Sequence, residues 1–357
     1  MMRSTPLALA LIAVSCSHEP PAPPGVYTPG QPSGSGALVR LTFNSGVDLG
    51  PTWLPDGSGI LYTMERVDRA DLDRCLALLP AAGGTIERQI CDRTPAADDS
   101  VNAYTAAAVS SDGRLAYVRA SASLAVGWPR APSTQELVVA PWDTPTAARV
   151  LRTIPYPGPS GRIHQSVSQV RWLGDSSLVF IGDKVDYPAR CLNCSLVDTL
   201  ATGLEIVRLD FQGPNVALTM LPGTDQASSV ATAGRDTVYF TINGDTRVFR
   251  LLVSTGALAV VHDFTVGGIA RDVTVAAGRL LAVVGGNVTF TNDTVLGPIQ
   301  RDSGGAIVAV DLASGAETTL TTALELYRHA VLAPDGRHAV AERLLGRTTD
   351  LYLLEVP

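Results

Sequence analysis

Six segments of the chain repeat one pattern: a short apolar run, a tight turn, and a second apolar run. Residues 51–57 lead into 60–62, 108–113 into 115–117 and 170–175 into 178–180. Further along, 230–234 lead into 238–240, 273–278 into 280–282 and 331–336 into 338–340. The turn anchors fall at 57, 113, 175, 234, 278 and 336, at intervals of 44 to 62 residues. Self-similarity at such a period means one supersecondary unit arrayed with its copies. The alternation of apolar and polar residues within each unit is the signature of strands. Asp-Gly recurs at the turns because a tight hairpin needs positive φ there, which glycine supplies without a Cβ clash. The interval suits one four-stranded propeller blade with variable loops.

Composition narrows the alternatives. Hydrophobic residues make up 46% and charged residues 17%, a balance that excludes a disordered chain. The 33 glycines and 24 prolines are too many for a helical bundle or coiled coil. A net charge of −7, with Lys184 as the single lysine, gives no electrostatic footprint for nucleic acid.

Trp-Leu-Pro-Asp-Gly at 53–57 and Leu-Ala-Pro-Asp-Gly at 332–336 resemble the TolB-like β-propeller repeat, a WD40-like Trp-Ser-Pro-Asp-Gly turn followed by an Ile-Xaa-Tyr/Phe strand. The resemblance covers residues 37–357. It is strong in the first and last repeats, fair in the second and degenerate in the middle three. It implies an all-β, six-bladed β-propeller of four-stranded antiparallel blades, at about 53 residues each. It also implies a mode of action, the binding of partners in the cell envelope. Ring closure follows from the strand inventory. The last repeat is one strand short, and an unassigned strand at 37–43 precedes the first repeat. Placed beside 350–356, that strand would complete the sixth blade and remove an open edge.

The N-terminus reads as an export signal. Residues 1–15 carry one cation, Arg3, and an apolar run over 6–14, too short for the ~20 residues that span a bilayer. Ala13-Val14-Ser15-Cys16 resembles a bacterial lipobox, which implies a lipidated Cys16 and stable anchoring by several acyl chains. Residues 17–36 are rich in proline and glycine and read as a tether. The expected division is therefore signal peptide 1–15, lipidated cysteine and tether 16–36, and propeller 37–357. Ser17, rather than Asp, after the cysteine points to the periplasmic face of the outer membrane. An ordinary secretory signal with an incidental Cys16 is the alternative.

Four further cysteines suit an oxidising compartment. Cys75 and Cys91 flank a Gly-containing turn at 80–84, and Cys191 and Cys194 form a Cys-Xaa-Xaa-Cys. Three pairings are possible, and disulfides 75–91 and 191–194 are the expected ones. A redox-active dithiol at 191/194 lacks the helix N-terminus that lowers a thiol pKa, and Pro188 lies close by. A four-cysteine zinc site would need cysteines from repeats far apart around a ring.

Long connections between the second and third strands of the repeats fall at 120–134, 183–202 and 285–304, with a shorter charged one at 65–73. Insertions gathered on one face mark a binding surface, and Trp128 in the first of them is a candidate anchor. The same face holds the mouth of the central channel. Residues just before each innermost strand should line it: Asp48, Asn102, Tyr104, His164, Gln165, Asp225, Gln226, Arg271, Asp272, Arg328 and His329. The chain has no Gly-Xaa-Ser-Xaa-Gly elbow, His-Glu-Xaa-Xaa-His, phosphate-binding loop or EF-hand loop. The expected function is a non-catalytic, monomeric platform for an envelope protein or peptide, without a cofactor and touching the membrane only through its lipid. A metal-dependent lactonase or lyase, with His164 or His329 and acidic residues at the mouth, is the competing reading.

Overall fold

A computed structural model describes residues 38–43, 47–65, 74–90, 100–123, 134–145, 147–155, 167–185, 201–265, 267–285, 288–293, 297–302, 305–322, 326–345 and 348–357. The expected signal, Cys16 and tether lie outside these, as do Cys91, Cys191, Cys194, Trp128 and His164. Among the described residues there are 26 strands and no helix.

β1 (Leu38–Arg40) comes first. β2 (Asp48–Trp53), β3 (Gly59–Glu65), β4 (Arg74–Pro80) and β5 (Arg88–Ile90) pair antiparallel in succession. β6 (Ser100–Val109), β7 (Arg114–Ser123), β8 (Thr134–Pro141) and β9 (Arg149–Pro155) do the same. Two further four-stranded runs are β10 (Val167–Trp172), β11 (Ser177–Val185), β12 (Ala201–Gln212), β13 (Asn215–Met220), and β14 (Ala227–Ala233), β15 (Thr237–Ile242), β16 (Arg247–Leu252), β17 (Ala257–Asp263). The next run is β18 (Ala270–Ala276) and β19 (Arg279–Val284), then β22 (Ala306–Asp311) and β23 (Glu317–Thr319). A separate hairpin, β20 (Val288–Asp293) with β21 (Gly297–Asp302), is inserted between them. Finally β24 (Tyr327–Leu332), β25 (His338–Leu345) and β26 (Thr348–Glu355) form a sheet whose fourth strand is β1, with Leu38 opposite Leu354.

The repeat predicts six separate blades, and the hydrogen bonding differs. Four sheets are separate four-stranded blades, while β2–β5 and β6–β9 are fused into one eight-stranded sheet. The fusion is one parallel pair, Arg74 opposite Ala103. It arises because β6 is ten residues long and its N-terminal part reaches the start of β4.

The core lies between successive four-stranded runs. Leu61, Leu76 and Leu78 pack against Tyr104, Leu115 and Tyr117, and Val118 and Leu137 against Val170, Phe180 and Leu209. At the closure, Val39, Trp53, Ile60 and Tyr62 pack against Val340 and Leu351. Strand faces that would be half-exposed in an isolated sheet are thereby buried on both sides, which explains apolar runs such as Leu280–Val284.

The repeated turns fold alike. Gly57, Gly113, Gly174, Gly234, Gly278 and Gly336 all have φ between +67° and +79°. In the first turn Asp56 accepts hydrogen bonds from the Ser58 amide (3.0 Å) and hydroxyl (2.7 Å). The third turn places its positive φ at Gly174, one residue before the Asp175 anchor read from the sequence. The tryptophans preceding the turns fasten neighbours together: Trp53 Nε1 donates to the Val331 carbonyl and Trp172 Nε1 to that of Ala108, both at 3.0 Å.

Candidate functional site: a cationic cavity between the inner strands

The first strand of each run, β2, β6, β10, β14, β18 and β24, contributes to the wall of one cavity of about 650 Å³. Leu204, near the start of β12, and Asn243, just after β15, also line it, so it opens at the end where second strands hand over to third.

Each inner strand carries a related irregularity there, offset in β14, where Gln226 stands just ahead of the strand and of the slip between Ala227 and Ser229. The register slips by a bulge, and a residue beside the slip has positive φ: Gly50 (+57°), Ala106 (+51°), Gln169 (+52°), Gln226 (+64°), Asp272 (+52°) and His329 (+47°). Left-handed backbone costs a non-glycine residue about 1–2 kcal/mol. It persists where the surroundings over-determine it, and such positions gather at functional sites. A bulge also re-aims side chains, turning residues that a regular strand would bury toward the cavity.

What over-determines these bulges is a set of hydrogen bonds that tie the inner strands to the first or second strand of the neighbouring run. An inner strand is the edge of its own sheet, so its outward amides need partners elsewhere. The amide of Val230 donates to Gln169 Oε1 (3.1 Å), that of Val273 to Ser229 Oγ (3.1 Å) and that of Leu332 to Thr274 Oγ1 (2.9 Å). The His329 amide donates to Asp272 Oδ2 at 2.8 Å, and the Gly50 amide to Glu342 Oε1 at 2.5 Å. Thr63 Oγ1 donates to the Tyr104 carbonyl at 2.9 Å.

The densest part joins β18, β24, β25 and β2. Glu342 is fully buried. Its Oε1 also lies 2.6 Å from His329 Nδ1, and its Oε2 accepts from Arg328 Nε at 2.6 Å. His329 Nε2 lies 3.9 Å from Asp272 Oδ1. Burial by itself would lower the His329 pKa, but the charges of Glu342 and Asp272 outweigh it and push the imidazole up to about 9. Although packed deep in the ring, the His329 side chain is 41% exposed because it opens onto the cavity. Burial would raise the Glu342 carboxyl, yet the His329 and Arg328 cations hold it below the usual range. Arg171 and Arg271 line the cavity from β10 and β18. Burial lowers the Arg171 pKa, the Asp272 charge opposing it, but a guanidinium stays charged. Arg171, Arg271, Arg328 and protonated His329 sum to +4, Asp272 and Glu342 to −2, which leaves the site at +2 in a chain of net charge −7.

No family model matches the chain, and no curated protein sequence matches it. Solved structures do. An oligogalacturonate lyase in complex with manganese superposes with TM-score 0.51 at 14% identity, over 94% of this chain and 97% of the other. A luciferin-regenerating enzyme gives 0.49 at 11% identity (87% and 91%), and TolB from Acinetobacter baumannii 0.44 at 14% (87% and 64%). The chain is a β-propeller. At these identities the likeness is one of fold alone.

Within the propeller the residues read from the sequence as channel-lining separate into three groups. Arg271, Asp272, Arg328 and His329 do line the cavity, from inside the strands at the bulges rather than ahead of them. Asp48, Tyr104 and Asp225 do not. Asp48 is fully buried. Tyr104 is 5% exposed and packs edge-on against Tyr117, with ring centroids 5.4 Å apart. Asp225 is exposed in the turn before β14. The alignment places them at the mouth by counting back from the turns, and the bulges shift that count. Gln226, exposed beside Asp225, does not line it either; His164 and Gln165 lie outside the described residues, as does Trp128, the candidate anchor of the loop face. The other described histidines pair elsewhere, His262 with Glu317 and His338 with Asp335, each at 2.8 Å.

Sequence reasoning missed Arg171, Gln169 and Glu342. Arg171 and Gln169 sit in the third repeat, whose motif is degenerate. Glu342 sits on a second strand, where the alternation predicts only core or surface. Its one signal is a carboxylate directly after the apolar run Ala339-Val340-Ala341 in a strand, a placement that calls for a cationic partner if buried. Among the described residues no three His, Cys, Asp or Glu side chains gather as a metal site.

Proposed function

We propose that this propeller is a non-catalytic binding platform of the cell envelope, anchored through lipid on Cys16, that presents its long-loop face to a protein or peptide partner. Counting β2–β5 and β6–β9 as two blades fused by one pair, with the four separate blades, makes it six-bladed. A Cys75–Cys91 disulfide belongs to the same reading; Cys75 is buried on β4 next to Leu76, which stands opposite Ile90.

The observation that carries the non-catalytic reading is the occupation of the cavity's acids. Both Glu342 oxygens and Asp272 Oδ2 already accept hydrogen bonds from adjacent strands. They act as fasteners of the ring, which makes it a rigid scaffold for loops. The loop deletion that tests it is residues 124–133, because β7 and β8 remain paired up to Ser121 opposite Thr134. Cross-linking in intact cells, followed by mass spectrometry, should give one stoichiometric envelope partner that is lost on this deletion. Partner capture unaffected by deleting each long loop in turn would overturn the reading. So would a stoichiometric divalent metal in the purified protein that disappears with His329→Ala, which is the signature of the lactonase or lyase reading.

A further inference from the structure

We infer that the cavity is a binding site for a small oxyanion-bearing molecule, a carboxylate or phosphate ester, held chiefly by Arg171, Arg271 and Arg328.

Charge balance is the first ground. The cations around the cavity outnumber the carboxylates by two, and each carboxylate already has its own strand-fastening partners. A concave site of one sign with low-dielectric walls focuses its field and raises the local concentration of the opposite ion. The walls supply that dielectric, with Leu49, Val167 and Leu204 among them.

Arg171 is the second ground. Its bond among the described residues is from Nη1 to the neighbouring Val170 carbonyl at 3.0 Å, and it makes no ion pair there. Its one electrostatic support, Asp272, is shared with His329. A half-buried guanidinium facing a cavity without a carboxylate of its own can take up an anion there, and its planar fork matches carboxylate and phosphate oxygens. Arg328 commits Nε to Glu342, and Arg271 donates from Nη2 to the Gly285 carbonyl at 3.3 Å. Arg328 also reaches Thr349 Oγ1 from Nη2 at 3.5 Å, and the five N–H donors of its guanidinium exceed these two bonds.

Size is the third. The cavity volume of about 650 Å³ falls within the roughly 300–1,000 Å³ range of small-molecule sites. It is too small for a folded partner, so although its mouth lies on the loop face, the inference stands whether or not the platform reading does.

The test is isothermal titration of the full-length chain with citrate, with inorganic phosphate, and with uncharged inositol as control. Citrate or phosphate should bind saturably and inositol should not, and whichever anion binds tighter names the source. Arg171→Gln should weaken that binding at least about tenfold, while Arg171→Lys, which keeps the charge but loses the fork, should weaken it less. Both variants should keep the wild-type circular dichroism spectrum. If Arg171→Gln fails to fold, Arg271→Gln is read in the same way. Failure of both anions to bind, equal binding of inositol, or unchanged affinity in the folded Gln variant would overturn the inference. Loss of anion binding in Arg171→Gln with partner cross-linking intact separates it from the platform reading.

Discussion

The carboxylate of Glu342 accepts a hydrogen bond from the backbone amide of Gly50, 292 positions away in the chain, at 2.5 Å. It joins the last sheet to the first inner strand, beside the junction where β1 pairs with β26. The same carboxylate pairs with both His329 and Arg328, so one buried side chain joins the last sheet to the first inner strand and partners two cations.

Glu342→Ala should therefore be among the most damaging single substitutions in the propeller. It removes the nearest carboxylate from two cations and the acceptor from an amide, and breaking a buried pair in this way costs about 3–5 kcal/mol. Urea unfolding of variant and wild type measures the loss. Glu342→Gln keeps an acceptor for Gly50 and should cost less. In either variant the His329 pKa, followed by NMR, should fall from about 9.

Stability should decline on the alkaline side. The His329 pKa is raised from 6.5 to about 9 on folding, so its contribution is complete below about pH 6.5 and is lost as the pH rises through 9. The lowered Glu342 carboxyl contributes with the opposite sign, a stabilisation present above its ordinary 4.5 and lost as the pH falls through its folded value. Water reaching the 41%-exposed imidazole keeps the alkaline slope well below the ~1.4 kcal/mol per pH unit of a sheltered group. The unfolding midpoints of wild type and His329→Gln should converge between pH 6.5 and 9.5. A gap that stays constant over that range would refute the pairing.

Ala106 is the plainest test of the bulges, since its side chain is only a methyl. At φ +51° it pays a left-handed penalty of about 1–2 kcal/mol that Ala106→Gly removes. The added chain entropy of glycine takes back about 0.5–1 kcal/mol. The substitution should leave stability unchanged or raise it by up to about 1 kcal/mol. Ala282→Gly, in the fully buried middle of β19, should instead lower it by about 1 kcal/mol or more. Equal losses at the two sites would show that Ala106 carries no strain.

Gly268 and Gly285 touch through their backbones. A Cβ on Gly268, at φ +136°, would lie 2.4 Å from Gly285 Cα and 2.9 Å from its nitrogen. Gly268→Ala should destabilise the fold by about 3 kcal/mol, from strain and overpacking together. Because the Gly285 carbonyl accepts from Arg271, the cavity should be disturbed as well, visible as a changed Arg271 side-chain signal by NMR. Gly256→Ala, where a Cβ meets nothing within 4 Å, is the control for positive φ alone.

Strand order, turns and closure are legible in the sequence because each depends on local chemistry. Asp-Gly fixes the hairpins, alternation fixes the faces, and the spare strand at 37–43 has one vacant place to go. Half of the cavity is legible in the same way, in the polar Arg271-Asp272 and Arg328-His329 pairs just upstream of two turns. The fusion of two runs through Arg74 and Ala103 is not, because one parallel pair leaves no periodic trace.

The repeat and its turns, then, determined by themselves that this chain forms four-stranded antiparallel units in a closed array. Those features are set by residues a few positions apart. The tertiary structure decided which polar residues face the cavity. A left-handed residue at each inner-strand bulge rotates its neighbours by a step that no period records, which buries Asp48 and Tyr104 and exposes Arg171 and His329 to the cavity. It also decided the charge of the site. That charge depends on Glu342 meeting Gly50, His329 and Arg328 in space, a coincidence of strands brought together only when the ring closes.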